Sequence, residues 1–220
     1  MIAVLPQGGF HSQFGKNGKS FDPTAYLDSV WRILGAIGVW DPADPPKRGG
    51  LMLSSHSGGD APLEDMLAKA EKSGTGEVAD LQGLFLLDTM YGKNDAAKML
   101  SFVQFRLKRD LAHLGGMRSG GKSDADLVDW VRAHGFRLRG AHSGGHYKPQ
   151  MKTLADGLAA FMSEAETEKV IGKPGTPVNM AVAANLQVDP TNASGGDHDS
   201  FVGINDNLRK SLEMMPGAKP

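Results

Sequence analysis

Several patterns that often reveal a protein's function are missing from this chain. It has 220 residues and no cysteine, which excludes disulfides, thiolate catalysis and cysteine-based zinc sites. No apolar run approaches the ~20 residues that a membrane-spanning helix needs, and the opening MIAVLPQGGF lacks the basic region of a signal peptide. The formal net charge is only −1, so the whole chain has no electrostatic preference for nucleic acid or anionic membranes. We expect no nucleic-acid partner, no membrane span and, by default, a cytoplasmic location.

Glycine, in contrast, is abundant. The 29 glycines are about twice the usual ~7 % share of a globular protein. Many of them stand in pairs between apolar segments, which predicts tight turns and not a disordered tract. The other residues are ordinary for a globular protein, with 40 % hydrophobic and 22 % charged. The chain is therefore long enough and apolar enough to bury a substantial core.

Short apolar runs alternate with segments of helical periodicity along the whole chain. The predicted strands are residues 2–5, 50–55, 81–88, 136–141 and part of 177–188. The predicted helices are residues 23–37, 60–74, 95–114, 124–134, 150–163 and 199–213, with 163–177 as a polar surface loop. Such alternation is typical of parallel βαβ units with helices on both faces of the sheet. We expect a single α/β domain over residues 1–220, a three-layer sandwich with a mostly parallel, roughly five-stranded sheet.

The tetrapeptide HSGG occurs twice, and the first copy has the surroundings of a nucleophile elbow. The buried strand Leu51–Leu53 leads into SHSGG, residues 55–59, and a helical segment follows. An elbow needs small residues on both sides of its nucleophile, because the strand and the helix approach closely at this turn. Ser55 and Gly59 meet that need. The sequence therefore predicts Ser57 as a nucleophile, while a glycine-rich turn with an incidental serine is the alternative.

The second copy follows a strand of a different kind. Residues 136–139 alternate apolar and basic side chains, which predicts an edge strand. Pro149 follows shortly afterwards, and we expect the next helix to begin only after it. Ser143 is then expected on an extended loop. We predict that His142 and Ser143, together with His56 and Tyr91, line a substrate site.

An acid and a histidine follow Ser57 in the sequence at positions suited to a catalytic triad. Asp88 ends the buried strand LFLLD, where a carboxylate is costly without a partner or a role. His198 lies in a loop between the last predicted strand and the last predicted helix. The order Ser57, Asp88, His198 is the Ser, Asp, His order of α/β-hydrolases. We therefore predict these three residues as a catalytic triad, with an N-cap role for Asp88 as the alternative.

Four segments together resemble the α/β-hydrolase superfamily. They are IAVLPQGGF, LMLSSHSGGD, LFLLDTMYG and GGDHDSFVG. The resemblance implies a serine hydrolase that cleaves an ester or amide through an acyl-enzyme on Ser57, without a cofactor or metal. It also implies that Gly58 and either Gly8 or Gly9 form the oxyanion hole. The acid comes one strand earlier than in most members, and no strands precede the first one. The sheet is then a minimal one, or an upstream domain or a larger assembly completes it.

Other interpretations remain open at this level. A non-catalytic α/β-hydrolase-like module that binds or supports a larger assembly is the first of them. Residues 116–123, GMRSGGKS, match the phosphate-binding P-loop pattern, but the segment before them has helical periodicity where a P-loop needs a strand. The pair His142 and His146, and the run of residues 197–199, are weak metal patterns.

The walls of the predicted site are harder to assign from the sequence. Residues 92–135 lie between the acid strand and the next strand, and we predict that they form a helical cap or side wall. Met90, Tyr91, Met99 and Phe102 give this region apolar character, which favours a substrate with an apolar part. Core packing explains the same residues equally well.

Overall fold

The computed structural model describes residues 22–57, 60–145, 147–189 and 213–214. The predicted first strand, residues 2–5, and almost all of the predicted last helix lie outside them. The described elements are α1 (Pro23–Ala36), β1 (Met52–His56), α2 (Asp60–Ser73), β2 (Gly83–Leu87), α3 (Asp95–Ser119), α4 (Asp124–His134), β3 (Arg137–Ala141), α5 (Tyr147–Met162), α6 (Ala165–Ile171), α7 (Pro177–Ala184) and β4 (Leu186–Val188). This alternation confirms the predicted α/β class.

The four described strands form one parallel sheet in the order β1-β2-β3-β4. The register places Leu53 beside Leu84, Leu84 beside Leu138, and Leu138 beside Leu186. Successive side chains of a strand point to opposite faces, so this row of leucines marks one face of the sheet. The expected parallel arrangement is confirmed for these four strands.

Helices α2, α3 and α5 cover the leucine face. Helix α3 packs against both α2 and α5, and its Met99 and Phe102 are fully buried in the main core together with Met90. These three residues are therefore core residues. On the opposite face Phe85 and Leu87 of β2 are also fully buried. The central strand is thus covered on both sides, as its continuous apolar run predicts.

Strand β3 is not an edge strand of the described sheet, because it pairs with β2 on one side and β4 on the other. Its basic residue Arg137 fits there because it has specific partners. Arg137 is 3 % exposed and donates hydrogen bonds to the carbonyls of Gly135, at 2.6 Å, and Arg132. These carbonyls lie at the end of α4, where helical carbonyls lack intrahelical partners. A buried guanidinium is therefore used as a helix cap.

Other boundaries also differ from the prediction. Helix α5 begins at Tyr147, before Pro149, because proline is tolerated in the first turn of a helix. The segment predicted as a surface loop contains α6, which buries Thr167 and Ile171. The apolar segment after it is mostly the helix α7, which has Pro177 at its first position.

The structure does not support the P-loop interpretation of residues 116–123. Helix α3 continues to Ser119, so the first half of GMRSGGKS is helical. A P-loop requires a strand before its glycines, so that the backbone N–H groups converge on phosphate. Residues 120–123 are a short connection to α4, which Ser123 begins with a capping box to Asp126.

A buried ion pair closes the amino end of the sheet. Arg106 of α3 donates to the carbonyl of Leu81 at 3.0 Å and to the carboxylate of Asp110 at 3.2 Å. The second oxygen of Asp110 accepts the backbone N–H of Phe136 at 2.7 Å. Burial raises the pKa of Asp110 and lowers the pKa of Arg106. Both charges are nevertheless paired, and they tie α3 to the entries of β2 and β3.

We predict that Asp110→Ala destabilises the fold by about 3–5 kcal/mol, because it leaves a buried guanidinium without its partner. The matched control is Asp156→Ala, which removes the exposed ion pair with Lys152 and is expected to cost at most about 1 kcal/mol. Urea denaturation of the purified chain measures both. Equal losses in the two variants would contradict this account of the amino end.

Two glycine-to-alanine substitutions are expected to change the stability of the fold in opposite directions. A Cβ at Gly135 would lie 2.6 Å from the carbonyl oxygen of Val131 and 3.1 Å from Asn185 Nδ2, so Gly135→Ala should destabilise by about 1–3 kcal/mol. Gly116 lies within α3, and its Cβ would meet nothing, so Gly116→Ala should stabilise by about 0.5–1 kcal/mol. Thermal denaturation distinguishes the two; a stabilised Gly135→Ala variant would show that the backbone shifts without cost.

Candidate active site at the carboxyl edge of the sheet

Ser57 lies in a strained turn between a strand and a helix. It follows the last residue of β1, and α2 begins at Asp60. Its φ is +53°, in the left-handed region that side chains other than glycine seldom adopt. Such a conformation costs on the order of 1–3 kcal/mol and is concentrated at functional sites. Ser57 therefore lies between the end of a strand and the start of a helix, at the position where the sequence predicts a nucleophile elbow.

The elbow is held to the loop that follows β2. Ser57 N–H donates to the carbonyl of Asp88 at 3.1 Å. The hydroxyl of Thr89 donates to the carbonyl of Ser57 at 3.2 Å and lies 3.1 Å from the hydroxyl of Ser55. Both Ser55 and Thr89 are buried. Thr89 thus helps to hold Ser57 in place, and the sequence does not reveal this contact, because only the parallel register brings the two residues together.

Asp88, directly after β2, has a backbone that is strained like that of Ser57. Its carboxylate faces the second HSGG copy. It has φ +47° and no exposed surface. One carboxylate oxygen accepts the backbone N–H of Ser143 at 2.5 Å, and the other accepts the Ser143 hydroxyl. The sequence predicts that this carboxylate needs a partner. Ser143 is one, although the sequence placed that serine in the lining of the site.

The strand register carries both HSGG copies to the same edge. His56 pairs with Leu87, and Leu87 pairs with Ala141. The next residues are Ser57, Asp88 and His142, and the N–H of Asp88 donates to the carbonyl of Ala141 at 3.0 Å. His142 is 2 % exposed, and neither of its ring nitrogens has a hydrogen-bond partner within the described part of the chain. His56, also predicted to line the site, is partly buried at the end of β1.

The hydroxyl groups of Ser57, Tyr91 and Tyr147 form a hydrogen-bonded chain. The Ser57 Oγ lies 3.1 Å from the hydroxyl of Tyr91, which accepts a 2.7 Å hydrogen bond from the hydroxyl of Tyr147. The two tyrosine rings meet edge to face, with 5.1 Å between their centroids. Tyr91 is 44 % exposed, whereas Tyr147, in the first turn of α5, is buried. Sequence reasoning found Tyr91 but missed Tyr147, which stands five positions after His142.

The loop that bears Tyr91 has little freedom. Met90 has φ +77° and is fully buried. The N–H of Gly92 donates to the carboxylate of Asp95, and a Cβ at Gly92 would lie 2.5 Å from that carboxylate. Only glycine leaves room for this contact. The loop is therefore fixed before and after Tyr91.

An ion pair joins the first turns of α2 and α3 at this edge. Lys98 lies 2.5 Å from the carboxylate of Glu64 and 3.6 Å from that of Asp95. The pKa of Glu64 is raised mainly by its burial. The pKa of Lys98 is raised mainly by the hydrogen bond that Lys98 donates to Glu64. The pair thus connects α2 and α3, the helices that follow Ser57 and Asp88 in the chain.

Several predicted site residues lie outside the described part of the chain. They are Gly8, Gly9, Gly58 and His198. The weak metal patterns also include such residues, namely His146 and residues 197–199. Among the residues that the structure does describe, no three potential metal ligands converge.

Comparison with protein-family models, with curated proteins and with solved structures finds no match. In the described part of the chain, no helix has the length and apolar character needed to cross a membrane. The chemistry of the edge must therefore be inferred from its own side chains.

We predict that Ser143 and Asp88 are energetically coupled. Asp88→Asn and Ser143→Ala each disturb a hydrogen bond of a buried group, which costs about 1–3 kcal/mol. The double variant should lose less than the sum of the single losses, with a coupling energy of about 0.5–3 kcal/mol. Urea denaturation of the four proteins provides the cycle. Strict additivity would show that the contact contributes nothing to stability.

Proposed function

We propose that this chain is a serine hydrolase that cleaves a carboxylic ester or amide through an acyl-enzyme on Ser57. The observation that carries the proposal is the strained position of Ser57, φ +53°, directly after β1. Its backbone is bonded to Asp88, a buried carboxylate at the end of the neighbouring strand. A left-handed serine in a glycine-rich strand–turn–helix is the arrangement that exposes a nucleophilic hydroxyl.

The topology supports the proposal. In open parallel sheets, ligands bind outside the carboxyl ends of the strands, and both Ser57 and Asp88 lie there. The sequence places His198 in a loop later in the chain, which completes the Ser, Asp, His order of the α/β-hydrolases. A minimal α/β-hydrolase-like fold is therefore part of the proposal.

Each group in this mechanism has a defined task. The Ser57 Oγ attacks the carbonyl carbon while His198 takes its proton, and Asp88 orients the imidazole and stabilises its charged form. The N–H of Gly58 and that of Gly8 or Gly9 hold the oxyanion. Water then attacks the acyl-enzyme and regenerates the serine.

The bonds of Asp88 to Ser143 are compatible with this role. An ionised carboxylate offers about four lone-pair positions, and Ser143 uses two of them. Accepting from Ser143 does not by itself prevent this carboxylate from also accepting an imidazole N–H. Ser143 then serves as a positioning residue that fixes the orientation of the acid.

A second candidate is a non-catalytic module of the same fold. It is favoured by the observation that the Ser57 hydroxyl contacts Tyr91 and the Asp88 carboxylate contacts Ser143, since purely structural hydrogen bonds would have the same geometry. The two candidates differ in whether Ser57 reacts.

We predict that a fluorophosphonate probe labels the chain on Ser57. Ser57→Ala should abolish labelling, and Ser143→Ala should retain it at a reduced rate, because only the first serine lies in an elbow. Lys122→Ala, in the former P-loop pattern, is the control and should be labelled like the wild type. In-gel fluorescence and a panel of p-nitrophenyl esters of increasing chain length measure the outcome.

Two results would contradict the proposal. Labelling that survives Ser57→Ala but not Ser143→Ala would assign the nucleophile to the second HSGG copy. A folded wild-type chain that is neither labelled nor active on any ester would favour the non-catalytic module.

A further inference from the structure

The hydroxyl of Tyr91 contacts the side-chain oxygen of the proposed nucleophile. It lies 3.1 Å from the Ser57 Oγ. Tyr147 donates its own proton to the Tyr91 oxygen at 2.7 Å, and in the contact between Tyr91 and Ser57 either hydroxyl, including that of Tyr91, can be the donor. A serine oxygen that accepts this hydrogen bond keeps its own proton for a general base.

We propose that Tyr91 is a catalytic hydrogen-bond donor that stabilises the oxyanion during acylation of Ser57, and that Tyr147 is its positioning residue. This inference rests on the proposed function. It adds a side-chain donor to the backbone N–H groups that the proposed function assigns to the oxyanion hole.

The step keeps its atoms and electrons balanced. The Ser57 oxygen forms a bond to the carbonyl carbon, the π pair moves onto the carbonyl oxygen, and the serine proton goes to His198. Tyr91 keeps its proton throughout and only changes the oxygen to which it donates. The two oxygens share one tetrahedral carbon, so a donor within reach of the Ser57 Oγ needs a small rotation to reach the oxyanion, where donors act at about 2.7–3.1 Å.

The surroundings of Tyr91 hold it ready for this task. Met90 anchors the loop in the core on one side, and the bond between Gly92 and Asp95 fixes it on the other. The buried ring of Tyr147 packs against the Tyr91 ring edge to face. A donor that is oriented before the reaction costs no reorganisation when the charge develops.

The exposure of Tyr91 separates this role from simple packing. Its side chain is 44 % exposed, whereas its neighbours Thr89 and Met90 have no exposed surface. The hydroxyl chain thus runs from the buried Tyr147 to an oxygen at the accessible edge, where an incoming carbonyl group meets Ser57.

The test uses Tyr91→Phe and Tyr147→Phe, which keep both rings and remove one hydroxyl each. With p-nitrophenyl esters, we expect Tyr91→Phe to lower kcat and kcat/KM by the same factor, about 10²-fold, as for loss of one oxyanion donor. Tyr147→Phe should lower kcat by a smaller factor, with KM unchanged. Fluorophosphonate labelling should slow in the same order.

The third tyrosine supplies a matched control. Tyr26→Phe makes the same chemical change on α1, a helix that supplies no residue to the proposed site, and should leave both rates unchanged. Thermal denaturation confirms that each variant is folded at the assay temperature.

Two outcomes would overturn the assignment. If Tyr91→Phe raises KM and leaves kcat and the labelling rate unchanged, Tyr91 only lines the substrate site. If the wild type itself is neither labelled nor active, the proposed function fails and the role of Tyr91 fails with it. The first result leaves Ser57 as a nucleophile, so the two failures can be told apart.

Discussion

Backbone hydrogen bonds continue the parallel sheet past the last residues of its strands. The N–H of Ser57 bonds to Asp88, and the N–H of Asp88 bonds to Ala141, so three loops leave the sheet in a fixed register. The described polar contacts between these loops depend on that register, including the bond of Thr89 to Ser57 and the bonds of Ser143 to Asp88. A shift by one residue would turn these side chains to the other face of the sheet.

The two ends of the sheet have different tasks. At the amino end, the charges of Arg106 and Asp110 are buried, paired and bonded to the backbone of β2 and β3. At the carboxyl edge, hydroxyl groups and one buried carboxylate surround a serine with strained backbone. Strain of about 1–3 kcal/mol per residue persists only where the surrounding structure is rigid. The packed helices α2, α3 and α5 and the closed amino end provide that rigidity.

Local signals in the sequence were enough to predict the elements on which the site is built. Asp22 and Pro23 begin α1 as expected, Ser123 caps α4, and the apolar runs before Ser57 and Asp88 are strands. Local signals predicted the wrong structure where a contact with a residue far away in the sequence determines it. The basic strand β3 pairs with β2 and β4, and its Arg137 is accommodated there as a cap of α4. Helix α6 forms where a loop was expected, and it buries Ile171.

Contacts across the sheet were the least predictable part of the site. The bond between Asp88 and Ser143 joins residues that are 55 positions apart, and that between Tyr91 and Tyr147 joins residues 56 apart. Both depend on the register of β2 and β3, and the second depends also on the start of α5 before Pro149. Composition and periodicity carry no information about either.

The left-handed backbone of Ser57 also restricts which residues can replace it. At φ +53° a β-branched side chain is a steric outlier, so threonine cannot present its hydroxyl in this turn without added strain. Serine and cysteine, which have a single heavy atom beyond Cβ, fit the same backbone. The turn thus disfavours a branched Cβ at position 57, and of the side chains with a hydroxyl or thiol group it accepts serine or cysteine more readily than threonine.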